Sequence, residues 1–287
     1  MTYVHRVGIR PSPDSPRARL RGRRPARTVT TALAALLVLA AAAACGDDGD
    51  KTYYGDERAL GNGQIRTYVV TDDGTPTEVG LRIEEAALEG LPMPATMPQG
   101  PPPASPPLAL PAEAAGTVVN HLTFDWVPHG HPPVGMFDKP HFDSHFYFID
   151  AAAVAAIDPQ DPAFLTKAAN SPDPKYMPAG NAAIPEPIEV QAVPAMGVHW
   201  VDMSNPVAPG QFTQTLINGA WDGEYIFAEP MFTRDWLLTK PSFTGDIPQP
   251  QAYQHSTRYP TTYSIRFDDS AKEYVVSVGG FTERTAS

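Results

Sequence analysis

Asn120–Asp150, NHLTFDWVPHGHPPVGMFDKPHFDSHFYFID, is the stretch on which the reading of this chain turns. Five of the eight histidines fall in it: His121, His129, His131, His141 and His145. Within HFDSHFYF, Phe142, Ser144, Phe146 and Phe148 alternate with His141, Asp143, His145 and Tyr147. Successive side chains of an extended backbone point to opposite faces, so this spacing predicts a half-buried β-strand. Its apolar face turns inward. Its other face presents two imidazoles, a carboxylate and a phenol in a row. His129 and His131 flank Gly130, and extended backbone would send both to the same side.

Imidazole is the commonest protein ligand for zinc, copper and iron, and carboxylates complete many such sites. A catalytic zinc takes three protein ligands and keeps one position for water. This stretch offers more ligands than that, in two segments joined by a Pro/Gly-rich turn. The spacing matches neither a zinc-finger nor a zincin pattern. The candidate ligands are His129, His131, His141 and His145, joined by His199 from PAMGVHWVD. Asp143, and Glu229 of EYIFAEPM, are candidate carboxylate ligands or general bases. A buried Glu before a proline needs a partner, which a metal or a histidine supplies. The implied cofactor is a divalent transition metal, zinc first, with iron, copper or manganese as alternatives. His121 shares a face with Thr123 and Asp125, and its part in the site stays open. His255, in a polar loop, reads as solvated.

The N-terminus reads differently from the rest. Residues 1–27 carry eight arginines against Asp14, and an apolar run from Thr28 to Ala44 ends at Cys45, the only cysteine. A basic start, a short apolar run and small residues before a cysteine describe an export signal. The segment resembles a bacterial lipoprotein signal in which Cys45 is lipidated, although Ala42 stands where leucine is favoured. Arg23-Arg24 resembles a twin-arginine signal without its apolar followers. Seventeen apolar residues are short against the ~20 of a membrane span. The expectation is a domain outside the cytoplasm, anchored by lipid, or secreted if cleavage occurs without lipidation.

Without residues 1–44 the chain keeps 13 of its 21 basic and 31 of its 32 acidic residues, a net charge of −18. Such a surface argues against nucleic acid and anionic headgroups as partners. A small-molecule ligand and a homo-oligomer both stay open. Without Cys45 no disulfide and no sulfur ligand is available, and 243 residues suffice for one core without staples.

The remaining pattern is of short strands and long proline-rich loops. Residues 45–62 read as an acidic tether. Gln64–Thr71 and Glu78–Glu84 around Asp72-Asp73-Gly74 read as a hairpin. Residues 92–111 are a proline-rich loop that supplies neither ladder donors nor a helix interior. Thr117–Trp126 is the next strand. Ala151–Ile157 and Asp161–Ala169 are short helices, the second with Asp161 as cap and Pro162 at its first position. Glu224–Met231 is a strand, and Thr261–Phe267 pairs with Lys272–Phe281. The prediction is a mainly β chain: residues 63–287 form a single antiparallel sandwich or barrel-like domain with one or two short helices.

The combination GHPPVGMFDKPHFDSHFYF, PAMGVHWVD and DGEYIFAEPM resembles a small bacterial family of unknown function, first defined structurally from a thermophile protein. The resemblance runs from about Gly63 to about Gly245. It is carried by His131, Pro140, His141, Phe142, Asp143, His145, Phe146 and Tyr147, then by His199 and Glu229. Pro132-Pro133 departs from it, since an acidic residue is expected before the proline. The resemblance implies no reaction.

Three functions compete. A metal-dependent hydrolase or lyase would use an open metal position to activate water. A non-catalytic metal- or ligand-binding surface lipoprotein (a scavenger, sensor or assembly subunit) would have a filled shell or no concave pocket. In a purely structural network the histidines would pair with Asp125, Asp138 and Asp143. No Gly-x-Ser-x-Gly elbow, phosphate-binding glycine loop or zincin helix occurs, which argues against serine hydrolases, nucleotide users and metalloproteases.

Overall fold

The computed structural model describes residues 49–94, 105–133 and 135–287. The expected export signal, Cys45 and the middle of the proline-rich loop lie outside the described residues. Among those described the chain is 44% strand and 13% helix, with antiparallel sheets forming a sandwich and no closed barrel. The first strands are β1 (Lys51–Tyr54), β2 (Arg58–Leu60), β3 (Gly63–Asp72) and β4 (Thr75–Glu84). Around the histidine stretch come β5 (Leu108–Ala109), β6 (His121–Val127) and β7 (His141–Tyr147). They are followed by β8 (Asn181–Ala183), β9 (Ala192–Val193), β10 (Gly197–Asp202), β11 (Gln214–Trp221) and β12 (Glu224–Thr233). The chain closes with β13 (Ser242–Asp246), β14 (Thr257–Tyr259), β15 (Thr262–Asp268), β16 (Glu273–Gly279) and β17 (Thr282–Arg284).

Sheet I runs β1-β3-β4-β16-β15-β13, with β2 also on β3. Sheet II runs β5-β6-β7-β12-β11-β10-β8, with β9 also on β10. Between them lies the main core, where the period-2 pattern pays off. Val79, Leu81 and Ile83 of β4 and Val276 and Val278 of β16 meet Leu122, Phe124, Phe142, Phe146 and Phe232 of sheet II. Phe142 and Phe146 are fully buried, each stabilising by roughly 1.5–3 kcal/mol.

Three expectations need correction. Residues 51–60, taken as part of a tether, form β1 and β2, both paired with β3. The edge of β3 offers an unpaired ladder, and the Arg66 guanidinium covers the Tyr54 ring at 4.3 Å, so the segment has reason to dock. Strand β7 is not half buried: all seven residues are buried, and on its histidine face the His131 and Phe212 rings pack against His141. The two expected helices are shorter, α1 (Ala151–Ala155) and α2 (Phe164–Ala169), and two further short ones occur that the sequence did not suggest, α3 (Ile188–Gln191) and α4 (Arg234–Leu237). Asp150 caps α1 through Ala153 N–H at 2.7 Å. Asp161 accepts instead from Ala163 N–H and from Lys167 Nζ, so α2 starts three residues late. Among the described residues no helix is long and apolar enough to cross a membrane.

Candidate metal centre

The face of sheet II turned away from the core is a row of polar groups. Strand β6 sets His121 opposite Tyr147, Thr123 opposite His145, Asp125 opposite Asp143 and Val127 opposite His141. On the other side of β7, Met231 of β12 faces Asp143 and Phe227 faces Tyr147. The ladder is interrupted between these pairs, where Glu229 and Pro230 lie, because proline has no N–H to donate. Further across, Glu229 faces Ile217 of β11, and His199 of β10 faces Gly219.

These residues converge in two sets. In the first, His141 Nε2 lies 3.1 Å from Asp143 Oδ1, and His131 Nε2 lies 3.6 Å from Asp143 Oδ2. In the second, Glu229 places Oε1 3.5 Å from His145 Nε2 and Oε2 3.4 Å from His199 Nε2. Within each set one ligand atom per residue lies within 4.8 Å of the others. His141, His145 and Glu229 are at most 2% exposed at the side chain, Asp143 is 8%, and His199 and His131 open to 21% and 32%.

The first set contains two imidazoles whose rings are oriented by backbone carbonyls. His141 Nδ1 lies 2.7 Å from the Lys139 carbonyl, and His131 Nδ1 lies 2.7 Å from the Pro132 carbonyl. A carbonyl only accepts, so each Nδ1 carries a proton, and each Nε2 is aimed at the Asp143 carboxylate, where it can hold a proton or a metal ion. His141 Nε2 and Asp143 Oδ1 lie 3.1 Å apart, and both are buried without a well-formed hydrogen bond. In the second set His145 Nε2 and Glu229 Oε2 are buried and unpaired in the same way.

The electrostatics of the two sets differ. Burial lowers the affinity of the His131 imidazole for a proton, but hydrogen bonding to Asp143 and its charge outweigh this and raise the pKa. Burial would raise Asp143, yet His141 and His131 pull it well below the usual carboxylate range. In the second set burial dominates: it pushes His199 down to about 3, lowers His145, and holds Glu229 far above an ordinary carboxyl. One set draws positive charge; the other is kept neutral.

Behind His145, Thr123 Oγ1 sits 3.3 Å from Nδ1 and Asp125 Oδ2 3.7 Å, with Thr123 Oγ1 donating to Asp125 at 3.3 Å. Asp125 also accepts from Ser105 N–H at 2.9 Å. This support was visible in sequence only as the alternation of His121, Thr123 and Asp125. His121 joins neither set; it stacks on Tyr147 at 4.8 Å, which stacks on His145 at 5.4 Å. His129 is also outside both sets. Gly130 has φ +70°, not the extended value that aligns its neighbours, and His129 Nε2 lies 2.7 Å from the Pro94 carbonyl. Asp138 is used locally, accepting from Gly135 N–H. Cavities of about 390 and 290 Å3 lie elsewhere, the first around Leu110, Asn120 and His255, the second around Asn181, Asp202 and Tyr263, and no residue of either set lines them.

Fold and site together define an antiparallel β-sandwich with two adjacent His/carboxylate clusters on the outer face of one sheet. Residues 71–126 match the family model TTHB210-like, described as hypothetical protein TTHB210, the small uncharacterised thermophile-derived family expected from the motifs. The match is shorter than the resemblance read over residues 63–245 and ends before His129. No curated protein and no solved structure matches the chain.

Proposed function

We propose that this protein binds a divalent transition metal, zinc foremost, at its His/carboxylate clusters, as a non-catalytic lipoprotein held outside the cytoplasm by Cys45. The carrying observation is the pair of Nε2 atoms aimed at Asp143 with their Nδ1 protons fixed on backbone carbonyls. Orienting a ligand ring through its second nitrogen is how proteins prepare metal sites. Two imidazoles and a carboxylate suit zinc or iron. Burial favours binding over catalysis: an ion reaches past His131 or His199, while the two cavities described above lie away from both clusters. A hydrolase or lyase would instead use the open position of a three-ligand set.

The test is elemental mass spectrometry of the full chain, purified in detergent, beside a His141→Ala/His145→Ala variant that removes one ligand from each cluster. Stoichiometric metal that disappears in the variant is expected. Failure to bind zinc, copper, iron or manganese would overturn the reading, and metal-dependent ester hydrolysis would replace it with the enzymatic one. Membrane fractionation of the same chain should find it in the pellet, and a Cys45→Ser variant should not be held there.

A further inference from the structure

Both clusters are built on one strand. Strand β7 gives His141 and Asp143 to the first set and His145 to the second, all on one face. Asp143 and His145 are two residues apart, about 6.6 Å along the strand, so the two sets are neighbours on β7. Their donors are the same, two imidazole nitrogens and one carboxylate. Each contains two buried ligand atoms without a hydrogen-bond partner: His141 Nε2 and Asp143 Oδ1, then His145 Nε2 and Glu229 Oε2.

Charge points the same way. Asp125, Asp143 and Glu229 are all buried on this face, and among the described residues their only ion-pair partners are histidines. An ion in one set leaves the buried, unpartnered ligand atoms of the other set unmatched. Filling a single set therefore solves half of the problem.

We propose that the two clusters fill together as a two-ion centre with β7 as their shared wall, close enough for each ion to sense the other. This rests on the metal-binding reading above. Copper(II) is the probe, because it binds imidazole tightly and is paramagnetic. The full chain in detergent is titrated with copper(II) and followed by electron paramagnetic resonance. Two coppers per chain are expected, with a half-field signal from spin–spin interaction that grows in with the second equivalent. His131→Gln and His199→Gln, at the more exposed ligand of each set, should each keep about one copper and lose the half-field signal. Two coppers with spectra of isolated ions would overturn the proposal, and so would a wild-type stoichiometry of one. No copper at all would overturn the metal-binding reading itself, which separates the two failures without relying on a variant.

Discussion

At the scale of single residues, the site depends on groups that touch no ligand atom. His145 presents Nε2 to Glu229 while its Nδ1 faces Thr123 and Asp125. A carboxylate behind an imidazole fixes the ring and strengthens its other nitrogen as a donor. Asp125→Asn keeps an oxygen for Ser105 N–H but removes the charge. Metal affinity at the His145 cluster should then fall ~10–100-fold in chelator competition, with little change in thermal unfolding of the metal-free chain. Unchanged affinity would mean that Asp125 only anchors the loop at Ser105. Much of this was legible beforehand. The alternation in HFDSHFYF put His141, Asp143 and His145 on one face, and the Glu-Pro pair marked Glu229 as needing a partner. The division into two clusters was not legible, because it depends on which strands lie beside β7. His129 was misplaced because the left-handed φ of Gly130 cannot be read from spacing alone.

At the scale of elements, β11 and β12 hold the second cluster at the right separation. The register shifts between Gly219 and Ala220, and the Phe227 ring lies over Gly219. A Cβ at residue 219 would come within 2.0 Å of that ring. Phe227 is fully buried and meets His145 edge-on at 4.9 Å and His199 at 5.3 Å, so it has nowhere to retreat. Gly219→Ala should cost about 1–3 kcal/mol, the range for overpacking, read as a lower midpoint in urea unfolding. An unchanged midpoint would show that the ring moves freely. The hairpin β3–β4 and the pair β15–β16 could be read in advance, since local turns and alternation specify them. The docking of β1 could not, because an acidic, glycine-flanked segment acquires its strand character only from the edge it meets.

At the scale of the whole molecule, the two sheets treat their outer carboxylates in opposite ways. On sheet I they are paired with fixed cations: Glu273 with Arg66 and Arg82, Asp268 with Arg82, and Glu78 with Arg266. On sheet II Asp125, Asp143 and Glu229 have, among the described residues, only imidazoles as ion-pair partners. One face is neutralised permanently by the sequence, and the other is the face where the metal is proposed to bind. The permanent side makes a prediction about acid. Burial alone would raise the Glu78 carboxyl, but the Tyr68 hydroxyl and the Arg266 guanidinium outweigh it and hold the pKa below its ordinary 4.5. A group whose pKa falls on folding stabilises the fold above its unfolded value and loses that contribution as pH drops through the folded one. For the metal-free chain, the Glu78 contribution to the urea midpoint should therefore be level from pH 7 to 5 and decline below about 4.5. Glu78→Gln should lower the midpoint at neutral pH and flatten the acid limb, so that the two proteins converge as the solution becomes acidic. Parallel curves for the two proteins would show that the Arg266–Glu78 pair contributes nothing to stability, and that the acid limb belongs to other carboxylates.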